Sequence, residues 1–206
     1  MNTRLNTKNA RIAILISLIV IALAEILFRA IAVGAASLST SNAGEQITVI
    51  VFALIILIFT AKDNDKISYI CCGALIAYFV MDQLFELPGM IGNLIAYIST
   101  PIIAITVAIR LLTMIGILVI GVLLVEYVND GSIYNRAFNV SYWITILLHV
   151  AVICVSFGCI ISGKAPSLQK NTALIVFNDI YRIIMVVLFT SFAYDSANRQ
   201  LKREGL

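Results

Sequence analysis

Six apolar runs, each close to the thickness of a bilayer core, occupy most of this chain and leave only short polar breaks between them. They cover residues 12–37, 45–61, 67–87, 101–128, 140–161 and 172–194. A bilayer core takes about 20 apolar residues to cross as a helix. Only 12% of the 206 residues are charged, whereas a soluble domain carries about 25%. A chain with so few charges cannot cover a water-soluble globule of its size. The expected fold class is therefore all-α: a polytopic transmembrane helical bundle of six spans, forming a single transmembrane domain over 1–206, with the lipid bilayer as its solvent.

The breaks are chemically consistent. Ser, Thr, Asn, Asp, Gly and Pro cluster at 39–44, 62–66, 129–132 and 162–167, the residues that end helices and make turns. The first run could pass for a signal peptide, but it continues past Glu25 and Arg29 to Ala36, too long for an h-region. It is read as a retained span. Residues 88–128 admit two interpretations. Two spans with a turn at Arg110 would need a turn-forming residue in 108–112, and there is none. The alternative sets 88–100, with Pro88, Gly89, Gly92, Asn93 and Pro101 at its edge, apart as an interfacial or re-entrant segment before one long helix.

Basic residues decide between them, because Lys and Arg accumulate on the cytoplasmic side. With six spans and the N-terminus inside, Arg4, Lys8, Arg11, Lys62, Lys66, Arg136, Arg199, Lys202 and Arg203 face the cytoplasm against Lys164 and Lys170 outside, nine against two. Seven spans give eight against four. Six spans with both termini cytoplasmic is the expectation, in a multi-pass protein of a prokaryotic plasma (inner) membrane.

Ionisable residues inside spans are the main functional signal, since each costs about 2.5–3.5 kcal/mol at the centre of an inserting helix. Glu25 and Arg29 are four apart on the first span, Asp82 and Glu86 on the third. Such spacing puts both members on one helix face. Arg110 lies in the fourth span, His149 in the fifth, and Asp179 and Arg182 form an expected pair in the sixth. At about 1.5 Å per residue, the six-span orientation places these charges between the midplane and the outer surface. Arg29, Arg110 and Arg182 nearly balance Glu25, Asp82, Glu86 and Asp179. The functional expectation is a polar cavity open to the outer side, binding a small charged or zwitterionic solute through Glu25, Arg29, Asp82, Arg110, Asp179, Arg182, Tyr181 and His149. The structural alternative is a set of interhelical ion pairs that fix packing, with Glu86 at the headgroups. Glu126 and Asp195 fall at the inner boundary.

Other chemistry finds little support. A lone histidine makes neither a bis-histidyl haem site nor a zinc site, although His149 with Asp179 could relay protons. Cys71, Cys72, Cys154 and Cys159 have no zinc-ligand spacing and read as small packing residues, with acylation of Cys71 or Cys72 as the alternative. No cofactor or metal is expected. Tyrosines and Trp143 gather near span ends, as an aromatic belt does. No basic patch interleaved with aromatics points to nucleic acid.

The segment Ala24–Ala30 resembles the first motif, E-E-x-x-x-R, of the CAAX-processing and bacteriocin-immunity intramembrane protease family. Ala24 stands at its first acidic position, and no F-x-x-x-H motif follows. Six helices with a polar site in the outer half, together with Ala30-x-x-x-Gly34 and Ala32-x-x-x-Ala36 in the first helix, are similar to the substrate-binding S-components of energy-coupling-factor vitamin transporters. That resemblance implies solute binding and docking to a coupling subunit, and it is one of architecture. The leading functional expectation is thus small-solute binding or transport. The alternative is a non-catalytic membrane subunit, pore-forming or assembling with other subunits or with itself. An intramembrane enzyme ranks third, for want of a nucleophile–base or metal constellation.

Overall fold

A computed structural model describes residues 2–33, 40–62, 64–130, 136–162 and 166–203, with side chains described for 8–31, 44–62, 64, 66–126, 136–162 and 172–196. Its elements are α1 (Asn2–Val33), α2 (Thr40–Ala61), α3 (Asp65–Ala96), α4 (Pro101–Asp130), α5 (Arg136–Ser162) and α6 (Pro166–Arg203). All six are long and apolar enough to cross a membrane. The end of the first predicted span, the small-residue partners Gly34 and Ala36, and the outer-side Lys164 and Lys170 lie outside the described residues or side chains, as do much of the predicted breaks.

Local chemistry sets the helix ends that are described. Asn64 caps α3: its carbonyl accepts from Ser68 N at 3.1 Å, and its Oδ1 accepts from Ile67 N at 3.4 Å. Thr100 occupies the same position before α4, its carbonyl accepting from Ala104 N at 2.9 Å, and Pro101 follows at the first helical position, where its missing N–H costs nothing.

The third span is longer than its sequence suggested. Instead of a separate segment over 88–100, α3 continues through Pro88 to Ala96, and a turn at 97–100 leads into α4. Proline removes one donor, that of the bond to the Leu84 carbonyl. Unwinding in an apolar medium would strand several backbone groups, a larger penalty. Arg110 lies within the uninterrupted α4, so the turn required by seven spans does not form.

The chain divides into two compact units: Met1–Ala77 with Ile184–Leu206, and Tyr78–Ile183. In the first unit α1 packs on α2, and Leu15, Leu18 and Ala22 are buried along one face of α1 as Val49, Ala53 and Ile56 are along α2. Tyr69 stacks on Phe192 with centroids 4.6 Å apart and donates to Ser196 Oγ at 3.0 Å. Arg11 forms an ion pair with Asp195.

In the second unit α4 packs on α5. The contact is tight at Gly116, where a Cβ would overlap the Thr145 side chain. The buried stripe of α5 consists of Phe138, Thr145, His149, Val152, Ser156 and Cys159, half of it polar. The exposed positions include Trp143, Ile144, Leu147, Val150, Phe157 and Ile160. A helix with polar residues inward and large apolar ones outward fits a lipid environment and is out of place in water.

Candidate functional site

Within the second unit, Asp179 on α6 is the meeting point of three helices. Its side chain is 3% exposed. From α5, His149 Nδ1 lies 2.9 Å from Asp179 Oδ1, and with that nitrogen protonated the imidazole donates to the carboxylate. From α4, Arg110 Nη2 stands 3.5 Å from Asp179 Oδ2. That contact is an ion pair without a hydrogen bond, since Oδ2 has no hydrogen-bond partner among the described residues. His149 is fully buried, so the carboxylate is held through one oxygen by the imidazole while the other has only the 3.5 Å ion pair with Arg110.

One turn along α6, Arg182 reaches α3. Its Nη1 donates to Gln83 Oε1 at 2.7 Å, and its Nη2 donates to Glu86 Oε2 at 3.0 Å. Gln83 is fully buried and passes the interaction on, donating from Nε2 to Asp82 Oδ2 at 3.2 Å. The expected Asp179–Arg182 pair is therefore not the one formed. Each residue takes partners from other helices, because residues three apart on a helix diverge by about 60°, enough to aim them at different neighbours.

These side chains border a cavity of about 440 Å³, lined by Glu86, Asn93, Arg110, Asn178, Asp179 and Arg182 together with Thr113 and an apolar wall that includes Phe85, Met90 and Met114. Small-molecule sites commonly measure about 300–1,000 Å³ and combine an apolar lining with a few convergent polar groups. Two positive and two negative lining residues cancel at their formal charges. Arg110 keeps spare capacity: its Nε has no hydrogen-bond partner among the described residues, and a guanidinium carries five N–H donors.

The chain matches no protein-family model, no curated protein and no solved structure. The function is therefore argued from the side chains, since a fold by itself does not specify one.

Of the eight residues proposed from sequence, Arg110, Asp179 and Arg182 line the cavity. His149 stands behind Asp179 and is not part of the lining. Asp82 is not part of the lining either and accepts from Gln83. Tyr181 is fully buried and packs edge-on against Phe79, centroids 6.1 Å apart. Glu25 and Arg29 belong to the first unit, where Arg29 Nη2 donates to Glu25 Oε1 at 2.9 Å and Gln46 Nε2 donates to the same oxygen at 3.3 Å. Gln46 explains how a fully buried Glu25 is held from a second helix. Of the cysteines, Cys72 is buried, Cys71 intermediate and Cys154 exposed.

Sequence reasoning missed Gln83, Asn93 and Asn178. Two of them carried a usable signal: Gln83 and Asn178 sit directly beside the intramembrane acids Asp82 and Asp179. Glu86, which only the structural alternative put at the headgroups, lines the cavity and accepts from Arg182.

Proposed function

We propose that this chain is an integral multi-pass membrane protein that binds a small charged or zwitterionic solute in the cavity bordered by Arg110, Asp179, Arg182 and Glu86, in the service of transport and without catalysis. Six spans with both termini cytoplasmic put Arg110 and Asp179 in the outer half of α4 and α6, so the solute would enter from the outside. The observation that carries this reading is a cavity of about 440 Å³ bordered by charged side chains from three helices. Intramembrane charges at this density generally mark a solute or ion pathway.

The experiment is a melting series on the full chain in mild detergent, against a broad panel of amino acids, carboxylates, amines and phosphate esters. At least one class should raise the melting temperature, as binding to the folded state alone requires, and Arg110→Gln should abolish the rise. A panel without any rise would end the proposal.

The second reading is a non-catalytic subunit whose charges serve packing and partner docking. It is favoured by Arg182, whose two Nη atoms are both engaged by Gln83 and Glu86. Native mass measurement separates the two: a stable oligomer indifferent to every solute supports this second reading.

A further inference from the structure

We infer that the cavity selects solutes that are zwitterionic, net neutral and short between their charges, with the carboxylate on Arg110 and the ammonium on Asp179, as in a 2-amino acid with an apolar side chain. This rests on the cavity being the solute site and narrows its ligand.

The donors and acceptors already in use separate the lining residues into two kinds. Arg182 has both Nη atoms engaged, at 2.7 Å by Gln83 and at 3.0 Å by Glu86. Its two terminal nitrogens are thus held on α3, while its Nε, like that of Arg110, has no hydrogen-bond partner among the described residues. Arg110 is loosely held, its contact with the Asp179 carboxylate being 3.5 Å long and its Nε lacking a partner among the described residues. Asp179 is 2% exposed and is anchored through Oδ1 by His149, which leaves Oδ2 without a hydrogen bond. A buried carboxylate oxygen without a donor is costly. Arg110 and Asp179 thus form a loose ion pair, 3.5 Å long, and both retain further bonding capacity to share.

A lone carboxylate would satisfy Arg110 and leave Asp179 Oδ2 as it is, with a second anion beside it. An amine would satisfy Asp179 and leave a second cation beside Arg110. Only a solute bearing both groups, close together, engages both members of this loose pair. Electroneutrality gives the same answer: Glu86 and Asp179 cancel Arg110 and Arg182 in the lining. Asp82, outside the lining, is bonded to Gln83. A net ion would leave an uncompensated charge beside the lining, whereas a zwitterion keeps the balance. Phe85, Met90 and Met114 offer the solute's carbon skeleton an apolar wall, methionine adapting readily to different shapes.

The test compares four probes on the full chain in detergent: L-leucine; 4-methylpentanoate, which lacks the amine; 3-methylbutylamine, which lacks the carboxylate; and 6-aminohexanoate, whose charges are far apart. Leucine should raise the melting temperature by several degrees while the other three leave it unchanged. Arg110→Gln should weaken leucine binding by roughly tenfold to a hundredfold, the value of charge-assisted hydrogen bonds, and Arg110→Lys should lose less. Equal stabilisation by 4-methylpentanoate or 3-methylbutylamine would overturn the zwitterion inference while leaving a solute site in place. Equal stabilisation by 6-aminohexanoate would overturn the short charge separation. No response to any of the four overturns the inference, and the broader solute panel then decides separately whether the cavity binds anything. These comparisons hold on the unaltered protein, so they stand even if the Arg110 variants fail to fold.

Discussion

If His149 is replaced by Ala, Asp179 Oδ1 loses its 2.9 Å donor inside a site where the carboxylate is only 3% exposed. An acceptor stranded in this way costs about 1–3 kcal/mol, so His149→Ala should melt clearly below the parent in detergent. A melting temperature equal to the parent's would mean that the imidazole does not hold the carboxylate. In the first unit, Glu25→Leu removes the oxygen that accepts from both Arg29 and Gln46. Because Arg29 is a quarter exposed, water offsets part of the loss, and about 1–3 kcal/mol is expected. Glu25→Gln, which keeps one acceptor oxygen, should lose less. If both variants lost the same, charge and not the shared acceptor would be what matters. At this scale the sequence was informative about which residues matter and poor on which ones meet. The Glu25–Arg29 pair follows from spacing and forms. The Asp82–Glu86 and Asp179–Arg182 spacings are equally suggestive, yet Glu86 bonds Arg182 from another helix and Asp179 is shared by Arg110 and His149. Spacing along one helix reports proximity on that helix and nothing of the neighbour that competes for the same side chain.

Between elements, α4 packs tightly on α5 at Gly116. A Cβ at Gly116 would overlap Thr145, whose Cβ and Cγ2 would both lie 3.3 Å away. Thr145 has little room to turn, because its Oγ1 donates to the Ser141 carbonyl at 2.8 Å. Gly116→Ala should therefore push the helices apart at a cost of about 1–3 kcal/mol, the usual penalty of overpacking. Adding Thr145→Ala makes room for the new methyl, so the double variant should recover most of the lost stability, and a double-mutant cycle in melting measures the coupling. Additive losses would place the two residues out of contact. Gly116 and Thr145 were not distinguishable in sequence from other small residues in apolar runs, since periodicity carries little information in a helix apolar on every side. Helix existence and number were legible for the complementary reason: in an apolar medium the length of an apolar run is itself the signal. The boundary at Pro88 was not, because a rule that holds in water, where a broken helix can bond to solvent, weakens where solvent is absent.

For the whole molecule, the proposed sidedness rests on where the basic residues fall along the sequence. Lys and Arg resist translocation, so the flank richer in them stays inside. If all six helices, with α4 unbroken through Arg110, cross the bilayer as proposed, nine basic residues would face two. An even number of spans would put both termini on one side, and under the proposed topology Arg4, Lys8, Arg11, Arg199, Lys202 and Arg203 make that side the cytoplasm. Reporter fusions active only in the cytoplasm should therefore work at both ends of the chain, and a reporter active only outside should work when inserted near Lys164. Changing Lys62 and Lys66 to Gln should leave this arrangement intact, because the terminal clusters carry most of the bias. Opposite locations for the two ends would require an odd number of spans and overturn the six-span topology. Both ends outside would keep six spans but reverse the direction of α4 and α6, placing Arg110 and Asp179 in the inner half and making the cavity a cytoplasmic one. The orientation experiment thus decides from which side a solute could reach Asp179.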